Sequence, residues 1–362
     1  MPPTKRPTLR SLAKKAGVSA TAVSLALRGS PQVSAVTRER LQKLARDSGY
    51  RSNALVSAVF SNMRRHKPRG DHAVIAYLNT WWPKSTWESC NTKSGQFRGA
   101  AKRAAELGFH LENFWLQEPG MNPARLAQIF RARGIKGVIV GPLQDHGMLD
   151  GFPWDQFALS TMGYSLHTPA IARACHAHFR GMSGAMDRLI SAGYARIGYV
   201  TSQDFEERVS SLWGAAYRLH QHRLKPANRI EPLVYQRDAE IGQLRHWLAG
   251  TRPDAVVNAL PNVHEMLAKL GPAVPRDLGF VHLDLPIHLN SAGVCGIDQL
   301  SEIVGANALE LVANQLYTDK CGVPEHPVTQ LVEGVWMNSH ALTKRKPRRR
   351  GAPPGRQKTL AG

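Results

Sequence analysis

Leu9-Arg10-Ser11-Leu12-Ala13-Lys14-Lys15-Ala16-Gly17-Val18-Ser19-Ala20-Thr21-Ala22-Val23-Ser24 is the stretch that decides how the chain begins to fold. Leu12, Ala13 and Ala16 share one helical face, Gly17 interrupts the pattern, and Ser19 is placed to cap a second helix from Ala20 to Leu27. Two helices joined by so tight a turn need a small residue where their backbones nearly touch, a glycine-type residue in the turn, and an aliphatic residue locking the second helix. Ala13, Gly17 and Val23 meet those needs, with Leu12 and Val18 as core filling. Thr8 can cap the first helix, Leu9 to Lys15. Ser34 can cap a third running through Asp47, with Leu41, Leu44 and Ala45 inward and Gly49 as its stop. The spacing predicts a small all-α helix-turn-helix headpiece.

A plain three-helix bundle shares this spacing by chance, so charge has to decide. The 362 residues carry 47 Lys/Arg against 27 Asp/Glu, a formal +20. Residues 1–69 hold 15 of the bases and only two acids, Glu39 and Asp47, a net +13. From Lys344 onward there are eight bases and no acid, and the body between is nearly neutral. Charge concentrated at the two ends points to a polyanion, most often nucleic acid. Ala20, Thr21 and Ser24 would point outward from the second helix toward base edges. Backbone N–H groups at the helix starts, with Thr8, Ser19 and Ser34, suit phosphate oxygens.

Beyond a linker-like His66-Lys67-Pro68-Arg69-Gly70, strands and helices alternate. Strands are expected at 74–78, 109–115, 137–140, 197–200, 255–257 and 279–283. Helices are expected at 96–107, 123–133, 181–192, 211–221 and 302–315. Such repetition implies an α/β body with parallel sheets, and its length suggests two lobes. Trp81, Trp82 and Trp87 follow the first of these strands, where loops at strand carboxyl ends line a ligand crevice. Indole faces there can stack on a sugar or purine, or equally pack against the other lobe or a second subunit.

Several functions lose support. The four cysteines are far apart, so zinc-ribbon and redox motifs are absent and reduced cytoplasmic thiols are expected. Phosphate-cradling glycine loops, G-x-S-x-G and H-E-x-x-H do not occur, and no catalytic constellation emerges. His176 and His178 form an isolated pair without a third metal ligand. No apolar run is long enough to span a bilayer, and Met1 to Pro7, rich in Pro and Lys/Arg with no apolar h-region behind it, leads us to expect no targeting signal. No cofactor, metal or membrane partner is expected.

Thr8-Leu9, Leu12 to Ser19, Val23-Ser24, Val33-Ser34, Thr37-Arg38, Leu41, Gly49-Tyr50 and Asn53-Ala54 together resemble the headpiece of the lactose/galactose repressor (LacI/GalR) family. The resemblance implies a homodimer on double-stranded, pseudo-palindromic operator DNA, with the second helices in successive major grooves. It also implies a hinge helix over Ser52–Phe60 that wedges into the minor groove. Two positions depart from the family: Leu25 where many members read bases with Arg, and Val59 where they wedge with Leu. Leu25 can meet a thymine methyl instead.

In the body, the strand at 74–78, the stretch Leu189–Val200, Arg208, Asp284 and Asp298-Gln299 resemble the family's sensor, which is similar to periplasmic sugar-binding proteins. That implies a saccharide effector held between two lobes, with Arg208 and Asp284 bonding its hydroxyls and Gln299 nearby. Ser211 stands where a glycine is expected after Arg208. The expected organisation is a headpiece (1–50), a hinge and linker (51–69), a two-lobed sensor and dimerisation domain (70–343) and a basic disordered tail (344–362). Together these predict a cytoplasmic transcription regulator, a repressor in type. Alternatives are a solute-binding sensor with no DNA role, or an α/β enzyme fused to a DNA-binding module.

Overall fold

The computed structural model describes residues 9–27, 33–48, 50, 73–145, 147–236, 239–271, 277–338 and 342. The chain separates into two compact units, 1–70 and 71–362. In the first, α1 (Leu9–Ala16), α2 (Ala20–Leu27) and α3 (Ala35–Asp47) enclose a core of Leu12, Ala13, Val23, Ala26, Leu41 and Ala45. Gly17 adopts φ +69°, left-handed backbone that glycine reaches without strain, and this lets the Val18 N–H return to the Ala13 carbonyl at 3.1 Å. Ser19 caps α2 by accepting from the Ala22 N–H, and Ser34 caps α3 by accepting from Thr37.

The second unit has two sheets. The first contains β1 (Ala73–Asn79), β2 (Phe109–Trp115), β3 (Gly137–Val140), β4 (Ala158–Met162), β5 (Arg173–His176) and β11 (Thr329–Val332) in the order β11-β5-β4-β3-β1-β2, all parallel. The second contains β6 (Ile197–Ser202), β7 (Leu233–Tyr235), β8 (Ala255–Asn258), β9 (Gly279–His282), β10 (Gly296–Asp298) and β12 (Val335–Met337) in the order β12-β10-β9-β8-β6-β7. There only the β10–β12 pair is antiparallel. Setting aside the last strand of each, the two orders are the same, 2-1-3-4-5 counted within a lobe. Each sheet therefore has a switch point between its first and third strands, where a crevice opens at the carboxyl ends.

The helices that cover the sheets follow in chain order: α4 (Lys84–Ser89), α5 (Asn91–Glu106), α6 (Pro123–Ala132), α7 (His178–Ser191), α8 (Gln203–Arg208) and α9 (Leu212–Arg223). Then come α10 (Ile241–Thr251), α11 (Val263–Leu270), α12 (Ile287–Ser291) and α13 (Ser301–Thr318). On one face of the first sheet α5 crosses α13 so closely that a Cβ on Gly99 would lie 1.9 Å from the Glu302 carbonyl oxygen, and one on Gly305 1.8 Å from that of Gln96. Only glycines permit that crossing. They also explain why α5 starts at Asn91 rather than at the expected Gln96: glycine in a helix interior costs about 1 kcal/mol of propensity, so Gly95 and Gly99 weaken the sequence signal that packing then restores.

Candidate nucleic-acid interface and inter-lobe crevice

Helix α2 carries no charged residue. Ala20 is exposed, Ser24 and Leu25 are half-buried, and Val23 and Ala26 turn inward. The face offered to a groove is thus small and mostly apolar, suited to close approach and methyl contact. Cations flank it: Lys14 and Lys15 end α1, and Arg40, Lys43 and Arg46 stand exposed along α3. Sequence reasoning counted these charges without assigning them to positions. Ser19 and Ser34 are exposed and already act as caps, so their backbone starts remain the phosphate-facing feature. Thr8, Asn53, Ala54, Val59, the expected hinge and the basic tail lie outside the described residues, as do the side chains of Leu9 and Thr21.

In the second unit the switch points of the two lobes face each other. Arg208, the last residue of α8 just beyond β6, reaches across the crevice. Its guanidinium donates to the carbonyls of Leu143 (2.7 Å) and Gln144 (2.9 Å), beyond β3, and its Nε to Asp204 (2.8 Å). Beneath it lies Trp81, whose indole N–H donates to the Pro142 carbonyl at 2.7 Å. The Arg208 guanidinium is 4.7 Å from the Trp81 ring centre and the Lys93 ammonium 3.3 Å, a cation–π stack drawn from both lobes. Asp284, following β9, accepts from the Thr92 hydroxyl of α5 at 2.7 Å. Arg208 and Trp81 therefore meet, Asp284 reaches α5 one residue from Lys93, and these contacts join the lobes to each other.

Trp82, Trp87 and Gln299 are placed differently. Trp82 is exposed, its backbone N–H donating to Gln144. Trp87 is buried on α4, edge-on to Phe97 and Trp115 at 5.6 and 5.4 Å, so it belongs to the lobe's core and not to the crevice. What reads as one loop contains a short helix that turns Trp87 away. Gln299 is buried in the connection between β10 and α13, its side chain donating to the Leu283 carbonyl, while its backbone carbonyl meets His176 Nδ1 at 2.8 Å.

That contact fixes the His176 tautomer. A carbonyl can only accept, so Nδ1 carries the proton, and Nε2 is left to accept from the Gln96 amide at 3.5 Å. His176 and His178 flank the crossing from β5 into α7, their rings 5.7 Å apart, with His178 edge-on to Trp213 at 5.0 Å. Burial holds His176 below the ordinary imidazole range and pushes His178 down to about 3; His282, at the end of β9, is pushed down by burial to about 4. These are neutral imidazoles at the hinge and crevice floor. The sequence flagged the first two only as an unsupported metal pair, and no metal-holding group occurs among the described residues.

Ser210 and Ser211, between α8 and α9, both have φ +55°. Left-handed backbone at two successive non-glycine residues marks the turn that replaces the family's glycine. It is held by Glu206, buried 7–8 residues from its partners in sequence: its carboxylate accepts from Tyr199 (2.6 Å) and from the Gly214 N–H (3.1 Å).

Residues 8–53 match the family model of bacterial regulatory proteins, lacI family. The headpiece is a lacI-family headpiece. No curated protein matches the chain. Among solved structures, a transcriptional regulator CelR–cellobiose complex is similar with TM-score 0.59 and 21% identity, over 92% of this chain and 98% of that one. A lac repressor dimer bound to operator and the anti-inducer ONPF is similar with TM-score 0.54 and 18% identity, over 92% and 98%. A periplasmic binding protein/LacI transcriptional regulator from Alkaliphilus metalliredigens, complexed with D-xylulofuranose, is similar with TM-score 0.54 and 14% identity, over 73% and 97%. The shared feature is the fold: a lacI-type headpiece ahead of a periplasmic-binding-protein-like pair of lobes. No helix among the described residues is long and apolar enough to cross a membrane.

Proposed function

We propose that the chain is a sequence-specific DNA-binding transcription regulator, a repressor in type, controlled by a small molecule bound between the lobes. The observation that carries this is the lacI-type headpiece, with α2 offering a small uncharged face flanked by exposed bases. Two copies would act together on a pseudo-palindromic operator in the cytoplasm, as the similarity to an operator-bound repressor dimer supports. The similar folds crystallised with cellobiose and D-xylulofuranose support a saccharide as the effector. The reading is that of a regulator and not of an enzyme.

Control would work by linkage. The contacts of Arg208 with Leu143 and Gln144 and of Asp284 with Thr92 define one relative setting of the lobes. An effector that takes over those groups favours another setting, and segment 51–69 passes the difference to the headpiece. To change operator occupancy it must bind the two settings unequally, about 1.4 kcal/mol for each tenfold. Selection of bound duplexes from a random pool, with and without a panel of sugars, tests this. One enriched two-fold motif whose recovery changes with a sugar is the expected result, and recovery with no preferred sequence would contradict it.

A further inference from the structure

Among the described residues of the crevice, Lys93 is a cation that forms no ion pair. It sits in the first turn of α5, half-buried, and its ammonium rests on the Trp81 face at 3.3 Å. The nearby carboxylates are committed elsewhere: Asp204 pairs with Arg208, and Asp284 accepts from Thr92. No ion pair to Lys93 occurs among the described residues; its neighbours are the Cys90 thiol, a second cation, Arg208, and the Asp204 carboxylate that Arg208 already engages. Burial pulls the Lys93 ammonium below the usual lysine range, outweighing the Cys90 thiol and the Asp204 carboxylate, which act the other way.

Independent features at the same place also lack partners. Asn79 ends β1 on the same face as Tyr77, whose ring meets Phe97 of α5 at 5.2 Å, which places it on the sheet face that α5 covers. It is 1% exposed; its oxygen accepts from the Trp81 N–H, but its amide donor Nδ2 has no acceptor. Cys90, the N-cap of α5, makes no side-chain cap hydrogen bond, so the cap side chain satisfies none of the first-turn N–H groups beside Lys93. An ammonium, a carboxamide donor and uncapped helix N–H groups can all be met by the same kind of group, the oxygens of an anion.

We propose that the crevice effector is anionic: a saccharide bearing a carboxylate or phosphate, whose acid group is held by Lys93 with Arg208 and Asn79 while its hydroxyls meet Asp284. This rests on the effector-crevice reading above and names the class of ligand. Drawing Lys93 onto the acid group uncovers the Trp81 face for the apolar side of the sugar ring. It also takes Arg208 from the Leu143 and Gln144 carbonyls, so binding and lobe setting become one event.

The test uses the full chain, with thermal shift and tryptophan fluorescence read for glucose, galactose and cellobiose against glucuronate, galacturonate and glucose 6-phosphate. At least one acid is expected to bind about tenfold or more tightly than its neutral counterpart, as loss or gain of one charge-assisted bond implies. That advantage should disappear in Lys93→Met and Lys93→Gln, each checked by circular dichroism, and survive in part in Lys93→Arg. The uronate and phosphate arms separate the two acid sources. Acid binding that is unchanged in both Lys93 variants overturns the proposal, because the acid is then held elsewhere. A neutral sugar bound as tightly as its acid overturns it too, while leaving the effector-crevice reading intact. No binding by any acid likewise overturns it, and the operator reading then stands or falls on duplex selection alone.

Discussion

The headpiece and the crevice carry their charge in opposite ways. In the headpiece Lys14, Lys15, Arg40, Lys43 and Arg46 stand in water around an uncharged helix. In the crevice Lys93, Arg208 and Asp284 are half-buried, few, and each engaged in a named contact. Charges in water at 0.1 M salt are screened over about 10 Å and act as a collective field, whereas buried ones are screened less and act singly. The difference teaches that DNA affinity should be spread over many replaceable contacts, while effector affinity should be concentrated in a few.

The sharpest way to break that contrast is salt. Raising it from 50 to 200 mM should weaken operator binding by about a thousandfold if roughly six phosphates are neutralised. Effector affinity should move by no more than about threefold, because one partly buried charge is involved. Filter-binding and calorimetric titrations across that range would expose a shared slope, which the contrast forbids.

Acid comes next. His178 and His282 are neutral in the folded body, and the unfolded chain takes up protons near pH 6.5. Because these pKa values are depressed on folding, the unfolded state binds more protons below that point. Body stability should therefore fall as pH drops from about 6.5 toward 4, at up to about 1.4 kcal/mol per pH unit for each histidine. The headpiece has no histidine before His66 and should not share this loss. Urea unfolding of the full chain followed by body tryptophans should show the fall, reduced in His178→Gln; a body transition flat down to pH 4.5 would contradict it.

Within the crevice, Asp284→Ala should weaken effector binding by roughly 10- to 100-fold and remove its influence on operator affinity, since one carboxylate serves several hydroxyls. A normal response would move the ligand elsewhere. The smallest effect belongs to the headpiece: Lys43→Ala should weaken binding to all duplexes alike by a few-fold and lower the salt slope by about one. A change in preferred sequence would show that Lys43 reads bases.

The same contrast governs what the sequence could reveal. The headpiece is local: Ala13, Gly17, Ser19 and Val23 lie within eleven residues, so their spacing carries the turn, the cap and the core directly. The crevice is assembled from β1, α5, β6, α8 and β9, and nothing within one segment announces that Lys93, Trp81 and Arg208 meet. Likeness to a family located Arg208 and Asp284. It could not locate Lys93, whose importance lies in forming no ion pair among the described residues. The composition of 81–90 hides the short helix that buries Trp87, and the buried contacts of Gln299 are long-range, so neither placement is legible in one segment. Strands such as Ala158–Met162 and Arg173–His176 are short, almost wholly buried and partly polar, so they lack the alternation that marks a half-exposed strand.

The central claim is that residues 1–69 carry sequence-specific DNA affinity. Selection of duplexes from a random pool by the full chain and by a chain lacking residues 1–60, at fixed salt, tests it most directly. The account predicts one two-fold motif enriched by the full chain and no enrichment by the truncated one. Retention of the same motif after truncation would contradict it, because the body would then be reading the DNA.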